Sequence, residues 1–200
     1  MAFDTYMQFQ DSNGNWLKGE SQAKIQKDNP LGGDIQAGNI FEIDDFNFDI
    51  EQALNIGSQS SGAGAGKVTF NPFQVTRKSD RASPTLFAMC CAGTHFSKVS
   101  LYLRRAGGGG ASLTAKSGDM TSGTTFLRFD FALVAVKTIS WSGSDGDEAC
   151  KEEVAFEYGA LQVSYVQQDE KGQPMASNQV VQGWNRIHNN NDFAGGVAAS

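Results

Sequence analysis

Apolar side chains recur at every second residue in several stretches of this chain, and this alternation limits the possible folds more than any other feature. In the first stretch, Phe3, Met7 and Phe9 lie on one side, and mostly polar residues separate them. A period of two is typical of a strand with one buried face and one solvated face. The chain is therefore expected to consist mainly of β-strands. Further strands are predicted at residues 40–56, 67–75, 98–105, 126–141, 154–165 and 179–187.

Two of these strands contain an interruption. Pro72 cannot donate a backbone hydrogen bond and interrupts the alternation of its stretch, which is therefore expected to lie at a sheet edge or to contain a β-bulge. Between Tyr158 and Leu161 the buried side changes parity, which predicts a β-bulge at Gly159 and Ala160.

One stretch has helical periodicity. Pro84 suits the first turn of a helix, apolar residues then recur three and four positions apart, and Gly93 stands where a left-handed C-terminal residue is favoured. Ser83 is expected to cap the first turn with its hydroxyl group. The predicted fold is an all-β dominated, closed β-barrel of two sheets, with one short flanking α-helix at about 84–92 and an extended glycine-rich loop.

The length of 200 residues favours one domain rather than two. We predict a single domain over residues 1–187, with a long loop insertion at about 10–39 that contains several glycines and Pro30. The glycine-rich loop reads NIGSQSSGAGAG at 55–66 and has no periodicity. Residues 188–200 offer little to bury and are predicted to form a flexible C-terminal tail.

The charge balance is acidic and excludes two classes of partner. Sixteen lysines and arginines stand against 22 aspartates and glutamates, for a net charge of −6. A protein that binds nucleic acid regardless of sequence needs a cationic surface, so no nucleic acid is expected as a partner. No apolar run approaches the roughly 20 residues that span a bilayer, so no membrane insertion is expected.

The cysteines and residues 1–10 indicate in which cellular compartment the protein is expected to be made and how it could leave the cell. The three cysteines are an odd number and form no CxxC pair, so the reduced thiols of a protein made in the cytoplasm fit better than a disulfide framework. Residues 1–10 contain Asp4 and no basic residue, so they do not resemble a secretory signal. If the protein leaves the cell, for the extracellular space or for a target cell, it is therefore expected to do so without a signal peptide.

The residues that could carry catalysis form no convincing set. Cys90 and Cys91 follow Asp80 and precede His95, and a cysteine hydrolase needs a thiolate, a histidine base and an orienting carboxylate. The two cysteines are more simply small apolar residues of a packed helix. His95 and His188 lack the short ligand spacing of metal sites. No catalytic residue, metal or cofactor is predicted, and the chain is not expected to be an enzyme.

Several stretches, taken in order, resemble one family. They include KGES at 18–21, GAGKV at 64–68 and a long match at 80–108 that reads DRASPTLFAMCCAGTHFSKVSLYLRRAGG. EEV at 152–154 and GW at 183–184 continue the match. Together they resemble the haemolysin-coregulated protein (Hcp) family, the tube subunits of bacterial type VI secretion. No single motif is specific to that family, whereas their order, spacing and coverage are.

The resemblance implies a β-barrel with a flanking helix that assembles as a homohexamer and stacks into a tube. The tube lies inside a contractile sheath, below a spike protein of the VgrG type, and contraction expels it toward a target cell. It is implied to carry effector proteins as cargo in its lumen and to have no enzymatic activity. The long 10–39 segment and the extended tail depart from the family pattern.

Two sets of residues are candidates for assembly. The polar side of the 40–56 stretch is expected to line the lumen, although an ordinary solvated sheet face explains it equally well. The 55–66 loop is expected to reach the next subunit or ring, although a solvated hairpin tip is the simpler interpretation. The lumen candidates are Asn47, Asp49 and Glu51, and the interface candidates are Asn55, Ser58, Gly62, Gly64 and Gly66.

These observations leave three classes of function open. The first is a structural tube subunit and cargo carrier of type VI secretion. The second is a soluble β-barrel binding module, lectin-like or from a virion, without ring assembly. The third is a small cysteine hydrolase that uses Cys90 or Cys91 with His95.

Overall fold

The computed structural model describes residues 3–23, 30–32, 35, 38–54, 65–105, 124–170 and 174–193. Within these ranges the chain is all-β with one short helix, as the alternation predicts. The elements in chain order are β1 (Phe3–Asp11), β2 (Phe41–Glu42), β3 (Asp45–Asn47), β4 (Ile50–Leu54), β5 (Ala65–Phe70), β6 (Phe73–Lys78), α1 (Ser83–Ala92), β7 (His95–Arg105), β8 (Thr124–Ser142), β9 (Lys151–Gln168) and β10 (Pro174–Asn185).

Most of the strands belong to one antiparallel sheet that curls into a half-barrel. Its order is β2-β1-β7-β8-β9-β6-β3, and β10 pairs with the part of β9 that β6 leaves free. β4 and β5 form a separate two-stranded sheet. The end strands β2 and β3 follow each other in the chain and, among the described residues, are not paired with each other. Closure of the barrel therefore stays a prediction.

Aromatic side chains fill one face of the main sheet. The ring of Phe73 stacks on that of Phe131, with centroids 4.5 Å apart, and on that of Phe156 at 6.0 Å. Phe9 lies 5.7 Å from Phe156, so β1, β6, β8 and β9 meet at one cluster. All four rings are almost fully buried, and burying side chains of this size contributes about 1.5–3 kcal/mol each.

The segment between β1 and β2 packs on the opposite face of the sheet. Ile35 and Ile40 are buried there against Tyr102 of β7. Arg128 of β8 donates a hydrogen bond to the carbonyl oxygen of Leu31 at 3.0 Å. The segment therefore covers the outer side of β1, β7 and the first part of β8.

A glycine allows this segment to lie close to β2. A Cβ atom on Gly19 would collide with the backbone carbonyl group of Ile40, so a side chain there would push the two backbones apart. In the described part of this segment, Trp16 forms an isolated bridge with Gln10, and no longer strand follows before β2. The glycine of the KGES stretch thus has a packing role.

The helix lies where it is predicted and begins one residue earlier. It ends at Gly93, whose φ of 66° is the expected left-handed conformation. The expected cap is wrong, because Ala82 is the N-cap residue and no side chain caps the turn. Ser83 instead lies inside the first turn, where its Oγ accepts a hydrogen bond from Arg77 Nη2 at 3.1 Å. Across the described ranges, no helix combines the length and the apolar character that a membrane crossing requires.

The predicted strand at 40–56 is wrong as a single element, since it is divided among β2, β3 and β4. β3 pairs with β6 in the main sheet, whereas β4 pairs with β5. Phe48 lies at the break between them, where its ring packs edge-on against Phe73 at 5.5 Å. Pro72 does interrupt the predicted 67–75 strand, but the expected bulge within one strand is wrong, because β5 ends before Pro72 and β6 begins after it in a different sheet.

The predicted bulge at Gly159 and Ala160 is wrong. The pairing of β8 with β9 keeps one register on both sides of Gly159, and its shift lies between Val136 and Thr138. Leu133, opposite Gly159, takes a left-handed φ of 52°. The side chains that face the core therefore change parity at Leu133 in β8 and at Gly159 in β9, which lie opposite each other. Because the change occurs in both strands at once, neither strand needs the extra residue of a β-bulge.

Some predictions fall outside the described residues. These are residues 55–64 of the glycine-rich loop and residues 194–200 of the predicted tail. The assignment of residues 1–187 to a single domain, with a loop insertion at about 10–39, stays a prediction.

Candidate functional site

The structure places the three lumen candidates on separate elements, and all three are exposed. Asn47 ends β3 opposite Gln74 of β6, Asp49 lies between β3 and β4, and Glu51 lies on β4. Asp49 Oδ2 accepts a 2.7 Å hydrogen bond from Asn71 Nδ2, which ties this break to the turn before β6. Of the three candidates, Asn47 alone belongs to the main sheet.

Asn47 is part of a polar area on the outer side of the main sheet. Gln74 of β6 pairs with Asn47 on one side and with Ala155 of β9 on the other. Ala155 pairs in turn with Thr138 of β8. Val75, at the alternate position of β6, is buried in the core, so this row faces away from the core. The polar sheet face comprises Asp45, Asn47, Gln74, Thr76, Thr138, Ser140, Glu153 and Ala155.

A shallow hollow lies in the middle of the polar sheet face. Its volume is about 140 Å³, and Ala155 lines it together with Gln74, Thr76, Thr138 and Ser140. The surrounding hydroxyl and amide groups can both donate and accept hydrogen bonds. The hollow therefore suits polar groups of a partner better than apolar ones.

A charged pair lies at one side of this face. Glu153 Oε1 and Lys151 Nζ are 2.9 Å apart, and both side chains are more than half exposed. The hydrogen bond that Lys151 donates to Glu153, together with the negative charge of Glu153, raises the pKa of Lys151. Such an exposed pair adds little stability, but it balances the charge next to the hollow.

The interface candidates belong to the β4–β5 hairpin and its loop. Asn55, Ser58, Gly62 and Gly64 lie outside the described residues, and Gly66 lies on β5. Because β4 pairs with β5, the loop joins two paired strands. Both interpretations of the loop therefore remain: it is an arm that reaches a neighbouring subunit, or it is a solvated hairpin tip.

An apolar groove lies between this hairpin and the β9–β10 part of the main sheet. Its volume is about 390 Å³. At its rim, Ile50 is 46% and Trp184 is 37% exposed. Exposed apolar surface of this kind often marks a contact with another macromolecule. The apolar groove is lined by Ile50, Val68, Phe70, Leu161, Val163 and Trp184.

Sequence reasoning missed this groove. Its walls come from β4 and β5 on one side and from β9 and β10 on the other, which are about 100 residues apart in the chain. The only sequence signal for the groove was the apolar character of Ile50 and Trp184. Alternation alone assigns such residues to the core and therefore does not predict that they are exposed.

A second exposed apolar area lies beside α1. Phe87 is 50% exposed, and its ring centroid lies 6.1 Å from that of Trp141. Trp141 Nε1 donates a 2.7 Å hydrogen bond to Glu152 Oε2, which fixes the indole ring. The helix SPTLFAMCCA carries no charge, so this surface also suits contact with a protein.

A buried ion pair holds α1 and Trp141 against the sheet. Arg77 Nε and Glu152 Oε1 are 2.7 Å apart, and both residues are almost fully buried. Arg77 Nη2 also lies 2.7 Å from Asp80 Oδ1, just before the helix. One arginine thus links β6, β9 and the start of α1.

The residues of the hydrolase interpretation have ordinary packing positions. Cys90 is half-buried against the core, and its Sγ lies 4.0 Å from the carbonyl oxygen of Lys137. Cys91 is exposed, and His95 begins β7. Cys90 thus makes the contacts of a small apolar residue. In the part of the chain that the structure describes, no three histidine, cysteine, aspartate or glutamate side chains are grouped as a metal site requires.

Comparison with known proteins points to one family. The model of a family described as type VI secretion system effector, Hcp, matches residues 6–165. The curated protein Hcp1 of Pseudomonas aeruginosa is 27% identical over 119 residues, which are 60% of this chain and 65% of that protein. The match thus spans slightly less than two thirds of the length of this relative.

Solved structures share the fold. One described as the structure of a type six secretion system protein has a TM-score of 0.71 at 24% identity, and the match covers 96% of this chain and 100% of that chain. Hcp1 of Salmonella typhimurium has a TM-score of 0.63 at 23% identity, with the same coverage of 96% and 100%. At these identities the likeness concerns the fold alone, and it confirms an all-β structure with one short helix.

Proposed function

Because the chain belongs to the Hcp family of type VI secretion proteins, we propose that it is a structural subunit of the inner tube. Six copies form a ring, rings stack into a tube, and contraction of the surrounding sheath expels the tube. The partners are other copies of the chain, a spike protein of the VgrG type, the contractile sheath and effector proteins in the lumen. The protein is made in the cytoplasm and secreted with the tube, and no catalysis is involved.

The polar sheet face is the observation that carries this proposal. Its side chains are mostly exposed, whereas the neighbouring outer side of β1 and β7 is covered by the segment before β2. A wall around an aqueous channel needs a solvated face that is backed by a packed core. The polar sheet face meets both requirements, so we assign Asn47 to the lumen and place Asp49 and Glu51 at its rim.

A ring also needs two unlike surfaces that fit each other, because head-to-tail contacts close only when a rotation brings one onto the other. The apolar groove supports such a contact, since it is exposed and concave in an otherwise acidic protein. In the proposal, the groove and the 55–66 loop with Asn55, Ser58, Gly62, Gly64 and Gly66 form the contact between subunits. Closure of the barrel belongs to the same proposal, since β2 and β3 are successive strands at the two ends of the sheet.

Native mass spectrometry and negative-stain electron microscopy of the purified full chain test this function. We expect the mass of six chains and rings with a central hole. Protomers alone, at every concentration, would contradict the ring and favour the soluble binding module. A hydrolytic activity that alkylation of the thiols abolishes would favour the hydrolase instead.

A further inference from the structure

A polar hollow lies between β5 and the turn that follows β10. Its volume is about 290 Å³, and it is lined by Val68, Thr69, Phe70, Arg186 and Asn189. None of these residues is acidic, although the whole chain has a net charge of −6. Val68 and Phe70 also line the apolar groove, so the two depressions are neighbours. We call the polar one the arginine hollow.

The side chain of Arg186 is held in place from one side. Its Nη1 donates hydrogen bonds to the carbonyl oxygen of Tyr158 at 2.7 Å and to Glu157 Oε2 at 3.2 Å. Its Cζ lies 5.6 Å from the ring centroid of Phe70 and 5.5 Å from that of Tyr158. The guanidinium group is therefore oriented before any ligand arrives, which lowers the entropy that binding costs.

The other edge of this guanidinium group is available for a ligand. Nε and Nη2 of Arg186 donate to no acceptor among the described residues, and the side chain is 31% exposed. The N–H of Nε and one N–H of Nη2 point in the same direction, so this edge is a planar fork of two donors. Such a fork matches the two oxygens of one carboxylate, which it can bind through two parallel hydrogen bonds.

The charges beside Arg186 favour an anionic ligand. Glu157 accepts the hydrogen bond from Arg186 and, through its Oε1, a second one from Lys137 Nζ at 2.9 Å. One carboxylate is thus shared by two cations, which leaves a positive charge without a counter-charge in this cluster. A further carboxylate at the fork of Arg186 would supply it.

We propose that the arginine hollow binds a carboxylate group, with Nε and Nη2 of Arg186 donating to its two oxygens. The hydroxyl group of Thr69 and the amide group of Asn189 line the same space and can donate further hydrogen bonds. Two sources supply this chemistry: an aspartate or glutamate of a second copy, whose apolar residues would occupy the neighbouring groove, or a small free acid. The first source rests on the proposed ring, and the second does not.

NMR spectroscopy of the full chain labelled with ¹⁵N-arginine tests the proposal. The chain has six arginines, and the Arg186→Lys variant identifies the Nε–H signal of Arg186 by its loss. The probes are glutamate and glutamine, each blocked as its N-acetyl α-amide, so that only the first carries a carboxylate. We expect blocked glutamate to move the Arg186 signal in a saturable manner and to bind about tenfold or more tightly than blocked glutamine. The signal of Arg81, which is exposed elsewhere, is the internal control and should move much less.

The Asn189→Gly variant tests whether the probe binds within the arginine hollow. Glycine accepts the left-handed φ of 52° at this position and removes only the side-chain amide. Blocked glutamate should therefore bind about threefold more weakly to this variant. An unchanged affinity would show that the carboxylate reaches Arg186 from outside the hollow, against the proposal.

Dilution of the full chain without a probe distinguishes the two sources. An Arg186 signal that moves on dilution shows that a second copy supplies the carboxylate, whereas a signal that moves only with blocked glutamate shows that a free acid does. A signal that responds to neither, or equally to blocked glutamate and blocked glutamine, would overturn the proposal. So would a response to inorganic phosphate alone. Because the probe titration does not need rings, a failure of this proposal and a failure of the proposed function remain distinguishable.

Discussion

Ile43 and Asp44 are neighbours in the chain, yet they hydrogen-bond to opposite parts of the main sheet. The Ile43 N–H donates to the carbonyl oxygen of Thr5 in β1 at 3.0 Å, and the Asp44 N–H donates to that of Thr76 in β6 at 2.9 Å. The first bond extends the pairing of β2, and the second extends the pairing of β3. A two-residue link therefore joins the two ends of the sheet.

Removal of the Asp44 amide is expected to weaken this link. Proline at position 44 has no N–H, so Thr76 loses its partner, and Asp44→Pro should lower the free energy of unfolding by about 1–3 kcal/mol. Asp44→Ala is the matched control, because it keeps the N–H and removes only an exposed carboxylate, with an effect within about 0.5 kcal/mol. Urea unfolding measures both, and equal midpoints would show that this hydrogen bond does not stabilise the fold.

The buried pair of Arg77 and Glu152 gives a second prediction about stability. Glu152→Gln removes one of the two carboxylates that pair with the buried guanidinium and leaves only Asp80, which should cost about 1.5–3 kcal/mol. Its neighbour Glu153 points to the other side of β9 and forms an exposed pair with Lys151, so Glu153→Gln should cost less than about 1 kcal/mol. Thermal unfolding compares the two variants. Similar losses at both positions would contradict the importance of the buried pair.

Tyr158 should make the protein less stable in alkaline solution. Burial raises the pKa of Tyr158 to about 12, from the ordinary value near 10. Above about pH 10 the unfolded chain releases this proton while the folded protein keeps it, so stability is lost as pH rises toward 12.

Tyr158→Phe is expected to reduce that alkaline loss. Within the described residues the Tyr158 hydroxyl group has no hydrogen-bond partner, so its removal should cost little at neutral pH. The exposed Tyr165 provides the control variant, Tyr165→Phe. Urea unfolding between about pH 8 and pH 12 measures the effect, and identical alkaline slopes for wild type and Tyr158→Phe would exclude this cause.

The sequence predicted those elements whose signals are local. Pro84 and Gly93 bound a helix within a short window, and strand alternation needs only neighbouring residues. The break at Phe48 depends on Phe73, which lies on another strand. The change in which side of β8 faces the core occurs at Leu133, and it depends on Gly159, which lies opposite Leu133 on β9. Such features arise from contacts between distant residues, which a local period cannot reveal.

The same reason limits what the sequence said about the site. Parity places Asn47, Asp49 and Glu51 on one side of a strand, but it does not assign that strand to a sheet. In the structure Asn47 pairs within the main sheet, and Glu51 pairs within the hairpin. The polar sheet face could be identified only after pairing placed Gln74 beside Asn47 and, farther across the sheet, Thr138 beside Ala155.

The proposed contact between subunits predicts variants that fold but assemble poorly. Deletion of residues 58–64 shortens the loop of the β4–β5 hairpin, and Ile50→Lys places a charge at the rim of the apolar groove. Both should reduce the fraction of rings severalfold without changing the circular dichroism spectrum. Ser144→Lys adds the same charge in the exposed turn between β8 and β9 and should leave assembly intact. Unchanged ring and tube masses in the first two variants would rule out this contact.

The polar sheet face predicts variants that form rings but hold less cargo. Asn47→Trp and Gln74→Trp place bulky apolar rings beside the hollow at Ala155, so they should narrow the lumen and remove hydrogen-bonding groups. We expect the rings to remain and the amount of co-expressed effector that copurifies with them to fall severalfold. Ser144→Trp is the control for a bulky residue elsewhere on the surface. Loss of the rings themselves would place Asn47 and Gln74 in a subunit contact, and unchanged copurification would remove the polar sheet face from the lumen.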